Sequence, residues 1–288
     1  MAGIDSYAAP RSLDEAADIL RAGNVTILAG GTDLKPQSNV GRLQFQPTLM
    51  NIRHIPELRG IIQAEHAVRI GALTTITELL NSALVRERFN ALWQACDHFA
   101  SDQLRNAATI GGNICNASPA GDTLVPLLAL DARIVLAGKP NGALATRAMP
   151  LADFFVGPGR TKRESAELLS AVDIPLRPNG FVSEFFKFGT RPALDVSTIS
   201  IGLAAVRSGR TLQDTRVAFG AVAPRPIRAP KTEAAIEGKP LDDSTIEAAV
   251  TVALNEIHPI SDVRASDWYR RELVQNILQR MLVHVRDS

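Results

Sequence analysis

Two glycine-rich segments of this sequence have the residue types needed to hold a phosphate group. Leu28–Leu34 reads LAGGTDL, and Thr109–Asn113 reads TIGGN. Adjacent glycines lack Cβ atoms, so backbone N–H groups can approach a ligand closely, and successive N–H groups in a turn form an anion-binding nest. Taken separately, each segment is more often only a tight turn. Two such segments in one chain nevertheless suggest a clamp on a pyrophosphate.

Other site chemistries are disfavoured. Neither segment matches GxGxxG or GxxxxGK[S/T], which argues against a Rossmann or NTPase function. The five histidines are scattered without metal-ligand spacing, and we expect no metal site. Two cysteines cannot supply the four thiolates of an iron–sulfur cluster; Cys96 is expected in the core, and Cys115 has no neighbouring base. Redox chemistry would therefore need an organic cofactor here and metal centres elsewhere.

The composition is that of an ordinary globular protein. The chain has 288 residues, 45% hydrophobic and 21% charged, which is long enough for two domains. Its net charge of +1 gives no field that favours nucleic acid or an acidic membrane. Because we find neither a long apolar stretch nor a signal peptide, we expect a cytoplasmic protein without a membrane span.

Capping residues and apolar spacing predict the elements that position these segments. Capping boxes predict three helix starts, at Ser12–Glu15, Thr75–Glu78 and Ser244–Glu247. A strand at Val25–Ala29 would deliver the first glycine pair to its carboxyl end, a usual ligand position in α/β layers. A helical stripe from Phe89 to Phe99 is typical of core packing. Further strands are predicted at Thr48–Ile52, 68–72, Arg133–Leu136 and Leu168–Ile174.

The last third of the chain reads as strands followed by helices. Pro175–Gly180 contains two prolines and a glycine and is the predicted linker. Strands at Phe181–Phe188, Thr198–Val206 and Thr215–Val222 precede the helices, which indicates an antiparallel sheet with helices on one side. The final helix repeats apolar residues up to Leu282, a pattern of core or subunit contact.

The two glycine segments, in this order and at this separation, resemble a known family. It comprises the FAD-binding subunits or domains of molybdenum-containing hydroxylases, including xanthine dehydrogenase and carbon monoxide dehydrogenase, with the xanthine dehydrogenase branch most similar. The resemblance covers nearly the whole chain and extends to four other stretches: VRIGALTT at 68–75, QLRN at 103–106, FGAVAP at 219–224 and VRAS at 263–266.

This resemblance implies an α+β fold in two domains. Residues 1–176 would form a two-part FAD-binding region of the vanillyl-alcohol-oxidase (PCMH) type, with subdomains at about 1–56 and 57–176. Residues 177–288 would form a domain like the carbon monoxide dehydrogenase flavoprotein C-terminal domain, with a three-stranded antiparallel sheet and helices.

The resemblance also implies FAD as cofactor and assigns its contacts. Main-chain N–H groups of both segments would wrap the pyrophosphate, and the residues concerned are Ile27, Leu28, Ala29, Gly30, Gly31, Thr32, Asp33 and Leu34 in the first segment, and Thr109, Ile110, Gly111, Gly112 and Asn113 in the second. A diphosphate held without a metal needs many such donors. No residue of this chain is expected to act as a catalytic acid, base or nucleophile.

Four further residues match cofactor contacts of the family, each beside a simpler interpretation. Asp122 would accept from the ribose or flavin side, or else cap a helix beginning at Thr123. Phe99 would lie against the flavin ring, or only pack in the core. Leu168 would touch the adenine or flavin edge through its backbone, although its type alone predicts core. Lys187 would lie beside the isoalloxazine, or be an exposed strand lysine.

A local ion pair between Arg191 and Asp195 is predicted to order the loop near the ring. The implied function is electron transfer from a [2Fe–2S] small subunit, supplied by a molybdenum-cofactor large subunit, through FAD to NAD or another acceptor. The partners suggest a heterotrimer that can pair into a dimer. A free-standing flavoprotein oxidoreductase and a flavin-free binding module stay open as alternatives.

Overall fold

Three main β-sheets follow one another along the chain, which a computed structural model describes over residues 3–191 and 194–288. The first sheet is parallel, with strand order β1-β3-β2. A helix follows each of its first two strands. Its elements are β1 (Ser6–Ala8), α1 (Leu13–Ala22), β2 (Val25–Leu28), α2 (Leu34–Asn39) and β3 (Thr48–Asn51).

The second sheet is antiparallel and is interrupted in sequence by a block of short helices. It has the order β4-β5-β10-β6-β7, and a separate hairpin, β8–β9, lies before its last strand. Its elements are β4 (Ile61–Gln63), β5 (Ala67–Gly71), α3 (Ile76–Leu80), α4 (Ala83–Arg88), α5 (Asn90–Asp97), α6 (Asp102–Arg105), α7 (Ile110–Asn116), α8 (Leu124–Ala129), β6 (Arg133–Gly138), β7 (Ala145–Pro150), β8 (Phe155–Gly157), β9 (Arg160–Thr161) and β10 (Glu167–Pro175).

The third sheet is antiparallel with order β11-β12-β13-β14, followed by three helices. The predicted α+β class is confirmed. The sheet has four strands rather than the three predicted, because a two-residue strand pairs with the end of β13. The elements are β11 (Phe181–Phe188), β12 (Ile199–Ser208), β13 (Thr211–Gly220), β14 (Ile227–Arg228), α9 (Pro230–Ile236), α10 (Asp243–Glu256) and α11 (Asp267–Asp287).

Both faces of the third sheet are covered. Alternate residues of β12, such as Ile201 and Leu203, join a core with α10 and α11. On the other face a Cβ added at Gly202 would lie 3.1 Å from Val125 of α8. Strand β11 also packs on α5, where Gln94 accepts a 2.7 Å hydrogen bond from the Phe185 amide. Helices α10 and α11 therefore cover one face of the third sheet, as predicted, and helices α5 and α8 cover the other face.

Two predicted capping boxes are incomplete in the structure. The box at Thr75–Glu78 is present in full. Ser12 accepts from the Glu15 amide, but the Glu15 carboxylate accepts from the Arg11 amide instead of closing the box. The box predicted at Ser244 is wrong, because Asp242 caps α10 by accepting a 2.8 Å hydrogen bond from the Thr245 amide.

The second glycine pair lies in a helix, not in a loop. Thr109 is the N-cap of α7, and its Oγ1 accepts a 3.1 Å hydrogen bond from the Gly112 amide. The helix predicted through Phe99 likewise ends earlier, at Asp97. Within residues 3–191 and 194–288, the structure has no helix that combines the length and apolar character needed to cross a membrane.

Candidate cofactor site

The first glycine segment is in direct contact with the chain that leads into the second. Gly30, just after β2, packs so closely on the chain before α7 that an added Cβ would overlap the Ala107 carbonyl oxygen and lie 3.2 Å from the Ala108 Cα. Only a residue without a side chain permits this approach. Farther along, Gln37 of α2 donates a 2.6 Å hydrogen bond to Asn116 Oδ1 at the end of α7. The fold therefore brings both predicted segments to one place.

Gly111 makes a second close approach. A Cβ at this position would lie 2.7 Å from both the Cβ and the carbonyl oxygen of Ala72. The Gly111 amide donates to Ala72 O at 2.9 Å, and the Ile110 amide donates to Thr74 O at 3.0 Å. These bonds attach the first turn of α7 to the chain that follows β5. Both glycine pairs therefore have a packing role besides any contact with a ligand.

The backbone donors of the two segments differ. No amide from Ala29 to Leu34 donates to an acceptor within the part of the chain that the structure describes. In the second segment the amides from Ile110 to Asn113 all have acceptors inside the chain. The prediction that both segments offer a row of free amides is therefore wrong for the second, because its residues form a capped helical turn. The first segment supplies the larger set of open donors.

Asn113 connects α7 to the chain carrying Asp122. Its Oδ1 accepts a 2.7 Å hydrogen bond from the Thr123 hydroxyl. Thr123, not Asp122, is the N-cap of α8, and it makes no side-chain capping bond. The alternative role of Asp122 as a helix cap is therefore wrong. The Thr123–Asn113 bond nevertheless places Asp122 one residue from a contact with the second glycine segment.

Asp122 forms a buried ion pair with Lys187. Lys187 Nζ lies 2.8 Å from Asp122 Oδ2, and the two side chains are 7% and 12% exposed. Burial raises the pKa of the Asp122 carboxyl, while the charge and hydrogen bond of Lys187 act in the opposite direction. Lys187 is therefore not the exposed strand lysine of the simpler interpretation. The sequence contains no spacing signal for this pair, because it joins α8 to the end of β11.

Phe99 lies beside this pair. It is half-buried against the main core, and the carbonyl of the preceding residue, His98, accepts a 3.2 Å hydrogen bond from Lys187 Nζ. Arg105 holds the same turn by donating to the Phe99 carbonyl at 2.8 Å. The structure thus places Phe99 next to a residue that contacts Lys187, and the Phe99 ring also packs in the core.

Leu168 lies on the other side of the first segment. It is on β10, is 4% exposed, and belongs to a core cluster against which Ile27 and Ala29 pack. Its side chain is core, as its type predicts. Its position next to the first glycine segment is compatible with a backbone contact.

One further expectation changed with the structure, and one did not. The predicted ion pair of Arg191 with Asp195 is wrong: within the described residues the Arg191 guanidinium donates to the Leu194 carbonyl, and Asp195 accepts from the amides of Thr190 and Arg191. Cys115 is in α7, where burial raises the pKa of its thiol to about 11, consistent with no nucleophilic role.

Comparison with known proteins decides the family. The model described as the FAD binding domain in molybdopterin dehydrogenase matches residues 3–177, and that of the CO dehydrogenase flavoprotein C-terminal domain matches residues 184–285. The chain belongs to the molybdopterin dehydrogenase family of FAD-binding subunits. It is thus the FAD-carrying subunit of an oxidoreductase in the molybdenum hydroxylase family.

Individual relatives of this FAD-binding subunit span its full length. The xanthine dehydrogenase FAD-binding subunit of Escherichia coli is 34% identical over 280 residues, covering 96% of this chain and 94% of the relative. The glyceraldehyde dehydrogenase medium chain of Sulfolobus acidocaldarius is 33% identical over 281 residues, covering 97% and 98%. A solved structure of carbon monoxide dehydrogenase from Hydrogenophaga pseudoflava superposes with a TM-score of 0.91 at 32% identity, covering 97% of this chain and 96% of that one.

The residues of this FAD-binding subunit fit its cofactor. The free amides of Ala29–Leu34 are suited to phosphate oxygens. Lys187 uses two of its three N–H groups inside the described chain, on Asp122 and the His98 carbonyl, so one donor is left for a ligand. The half-buried Phe99 ring supplies an apolar surface nearby.

Proposed function

We propose that this subunit relays electrons from a [2Fe–2S] small subunit, through its FAD, to NAD or another acceptor. The electrons would originate at a molybdenum-cofactor large subunit, where the substrate is hydroxylated. The observation that carries the proposal is the close contact of Gly30 with the chain entering α7, since it brings the open amides of the first glycine segment beside the second segment. FAD, when bound, supplies the redox chemistry.

The proposed work of this chain is binding and orientation. The amides from Ala29 to Leu34 hold phosphate oxygens, and Thr109 and Asn113 line the facing turn of α7. Lys187 would place a positive charge beside the ring, where it would favour negative charge on the flavin and thus electron acceptance. Phe99 would lie against the ring, and Leu168 would contact the cofactor through its backbone from β10.

Partner subunits complete the proposal. A heterotrimer of this chain with the small and large subunits, able to pair into a dimer, supplies both metal centres that two cysteines cannot provide. The division into domains at 1–176 and 177–288 stays a prediction, as does a cytoplasmic location. Identity does not select a substrate, because the xanthine and glyceraldehyde relatives match almost equally well, at 34% and 33%.

Replacing Gly31 and Gly112 together with valine tests the phosphate site. Gly31 lies in the first glycine segment with a φ of +73°. Gly112 lies in the second segment, and a Cβ there would lie 2.9 Å from Thr109 Oγ1. The two valines would therefore add side chains to both segments that are proposed to hold the phosphates. We expect the double variant to lose FAD, measured as flavin absorbance retained after gel filtration, while it still unfolds cooperatively.

Gly209→Val is the matched control. Its φ of +60° gives comparable backbone strain, but no atom lies within 4 Å of the added Cβ, and the residue follows β12 at the end far from Lys187. It should retain flavin like the wild type. Full flavin retention by the double variant would contradict the assigned segments.

The electron relay itself has a separate test. The chain is purified from its native cells with its associated subunits, and iron, molybdenum and flavin are measured per chain. Reduced complex is then mixed anaerobically with NAD. Re-oxidation of the flavin is the expected result. Absence of iron and molybdenum from the complex would contradict the partners, and a flavin that stays reduced with NAD but is oxidised by a quinone would assign another acceptor.

A further inference from the structure

Ser197 is a buried polar residue with a defined acceptor in the cofactor site. It lies just before β12, is 1% exposed, and its hydroxyl donates a 2.9 Å hydrogen bond to Asp122 Oδ1. The other carboxylate oxygen, Oδ2, faces Lys187 Nζ at 2.8 Å. The two oxygens of one carboxylate are therefore held by two separate parts of the chain, the end of β11 and the stretch just before β12.

This arrangement determines where the Lys187 ammonium points. Its three N–H groups are tetrahedrally arranged, so fixing two of them fixes the third. One is held by Asp122 and one by the His98 carbonyl at 3.2 Å. Because a lysine side chain is a flexible stem of four carbons, its ammonium group has a defined position only when such partners restrict the rotation of the side-chain bonds.

We propose that Ser197 is a positioning residue for the flavin: by holding Asp122 Oδ1, it fixes the Asp122–Lys187 pair and aims the remaining Lys187 N–H at the cofactor. The proposal rests on the placement of Lys187 beside the ring in the proposed function. Without the Ser197 donor, the carboxylate can turn about its side-chain bonds, and Lys187 Nζ follows it. The negative charge of Asp122 is then also less neutralised, which acts on the flavin in the same direction as a displaced ammonium.

A Ser197→Ala variant of the full chain loaded with FAD tests the proposal. Loss of a hydrogen bond to a charged group allows an effect of about tenfold to a hundredfold on an equilibrium constant. We expect weaker FAD binding within that range and a lower midpoint potential of the bound flavin, measured by equilibrium reduction against a reference dye. The visible flavin spectrum should also change, because the electrostatic field at the ring changes.

Ser200→Ala is the matched control. Ser200 is on β12, is also 1% exposed, and its hydroxyl has no hydrogen-bond partner within the described residues. It therefore loses the same atom three residues farther along the chain without breaking a bond to Asp122. We expect its FAD affinity, spectrum and midpoint potential to equal those of the wild type.

A Lys187→Gln variant separates the proposal from the function on which it rests. If Lys187→Gln shifts the midpoint potential and Ser197→Ala does not, Lys187 is correctly placed and the role of Ser197 is overturned. If neither variant shifts it, the placement of Lys187 beside the ring is contradicted as well. If Ser200→Ala and Ser197→Ala shift the midpoint potential equally, the shift comes from altered packing around β12. That result would also overturn the proposal.

Discussion

At the scale of single residues, the buried Asp122–Lys187 pair dominates the site. Removing two charges from water is costly, and the pair is tolerated because each member has additional hydrogen bonds: Ser197 for the aspartate and the His98 carbonyl for the lysine. A pair of this kind contributes little net stability but is destabilising when one member is removed. Asp122 lies just before α8, and Lys187 lies near the end of β11. A pair that is fixed between two elements in this way can hold a charge in one direction relative to a ligand.

We therefore expect Lys187→Met to lower the free energy of unfolding of the chain by about 3 kcal/mol at alkaline pH, because Asp122 stays buried without a counter-charge. Burial raises the Asp122 pKa in the folded state, and the variant loses the opposing effect of Lys187. A folded-state pKa above the unfolded value means that protonation favours folding, so the deficit should shrink as pH falls through the raised pKa.

Urea unfolding at several pH values measures this deficit. Lys231→Met is the control, since Lys231 is exposed and its side chain has no hydrogen-bond partner within the described residues. A deficit that stays constant from alkaline to acidic pH would show that Asp122 does not titrate as described.

At the scale of elements, glycines allow the backbone after β2 to pack against the chain entering α7. The contact at Gly30 excludes any side chain, whereas Gly31 has a positive φ and space around it apart from Leu28 at 3.1 Å. The two adjacent glycines thus serve different purposes. One permits contact between the first parallel sheet and the helical block, and the other turns the backbone so that its amides face outward.

We expect Gly30→Ala to lower the unfolding midpoint and to weaken FAD retention, because its methyl group overlaps the Ala107 carbonyl and the two segments must separate. Overpacking of this kind costs about 1–3 kcal/mol. Gly3→Ala is the control, since nothing lies within 4 Å of its added Cβ. Thermal unfolding and flavin absorbance measure both variants; wild-type behaviour of Gly30→Ala would mean that the two segments are farther apart than described.

At the scale of the whole molecule, an ion cluster centred on Asp131 joins the turn between α8 and β6 to the third sheet. Asp131 Oδ2 accepts from Arg177 at 2.8 Å and from Arg216 at 2.7 Å, and Oδ1 accepts from Arg228. Arg177 lies in the predicted linker, whereas Arg216 and Arg228 belong to β13 and β14. Although burial alone would raise the Asp131 pKa, these arginines lower it. The cluster therefore connects the turn after α8 to the predicted linker and to β13 and β14.

We expect Asp131→Ala to destabilise the chain by about 2 kcal/mol and to increase proteolysis within the linker at 176–180, because three arginines lose their common acceptor. Since the Asp131 pKa is lowered in the folded state, this contribution is present above the ordinary carboxyl pKa and is lost as pH falls through the lowered one. Asp153→Ala is the control, an exposed carboxylate with no side-chain hydrogen bond in the described chain. Equal stability and proteolysis of the two variants would contradict the role of the cluster.

The elements and the family were predictable from the sequence because their signals are local. Strand β11 was predicted with the bounds Phe181–Phe188 that it has, since apolar alternation and turn residues act within a few positions. The capping box at Thr75 was confirmed for the same reason. The glycine segments and their separation indicated the family. Two protein-family models then matched the chain, over residues 3–177 and 184–285.

Only the tertiary structure decided how those local pieces meet. A Gly-Gly pair fits a turn or a helix start equally well, and the helical turn of α7 follows from the Thr109 cap and the contact with Ala72. The partners of the Asp122–Lys187 pair lie on the chain after α5 and just before β12, at sequence separations that have no periodicity. The residue pattern alone was enough to indicate FAD as the cofactor. The packing of three sheets determined which of their amides are free and which charges are paired, because those properties depend on neighbours that are distant along the chain.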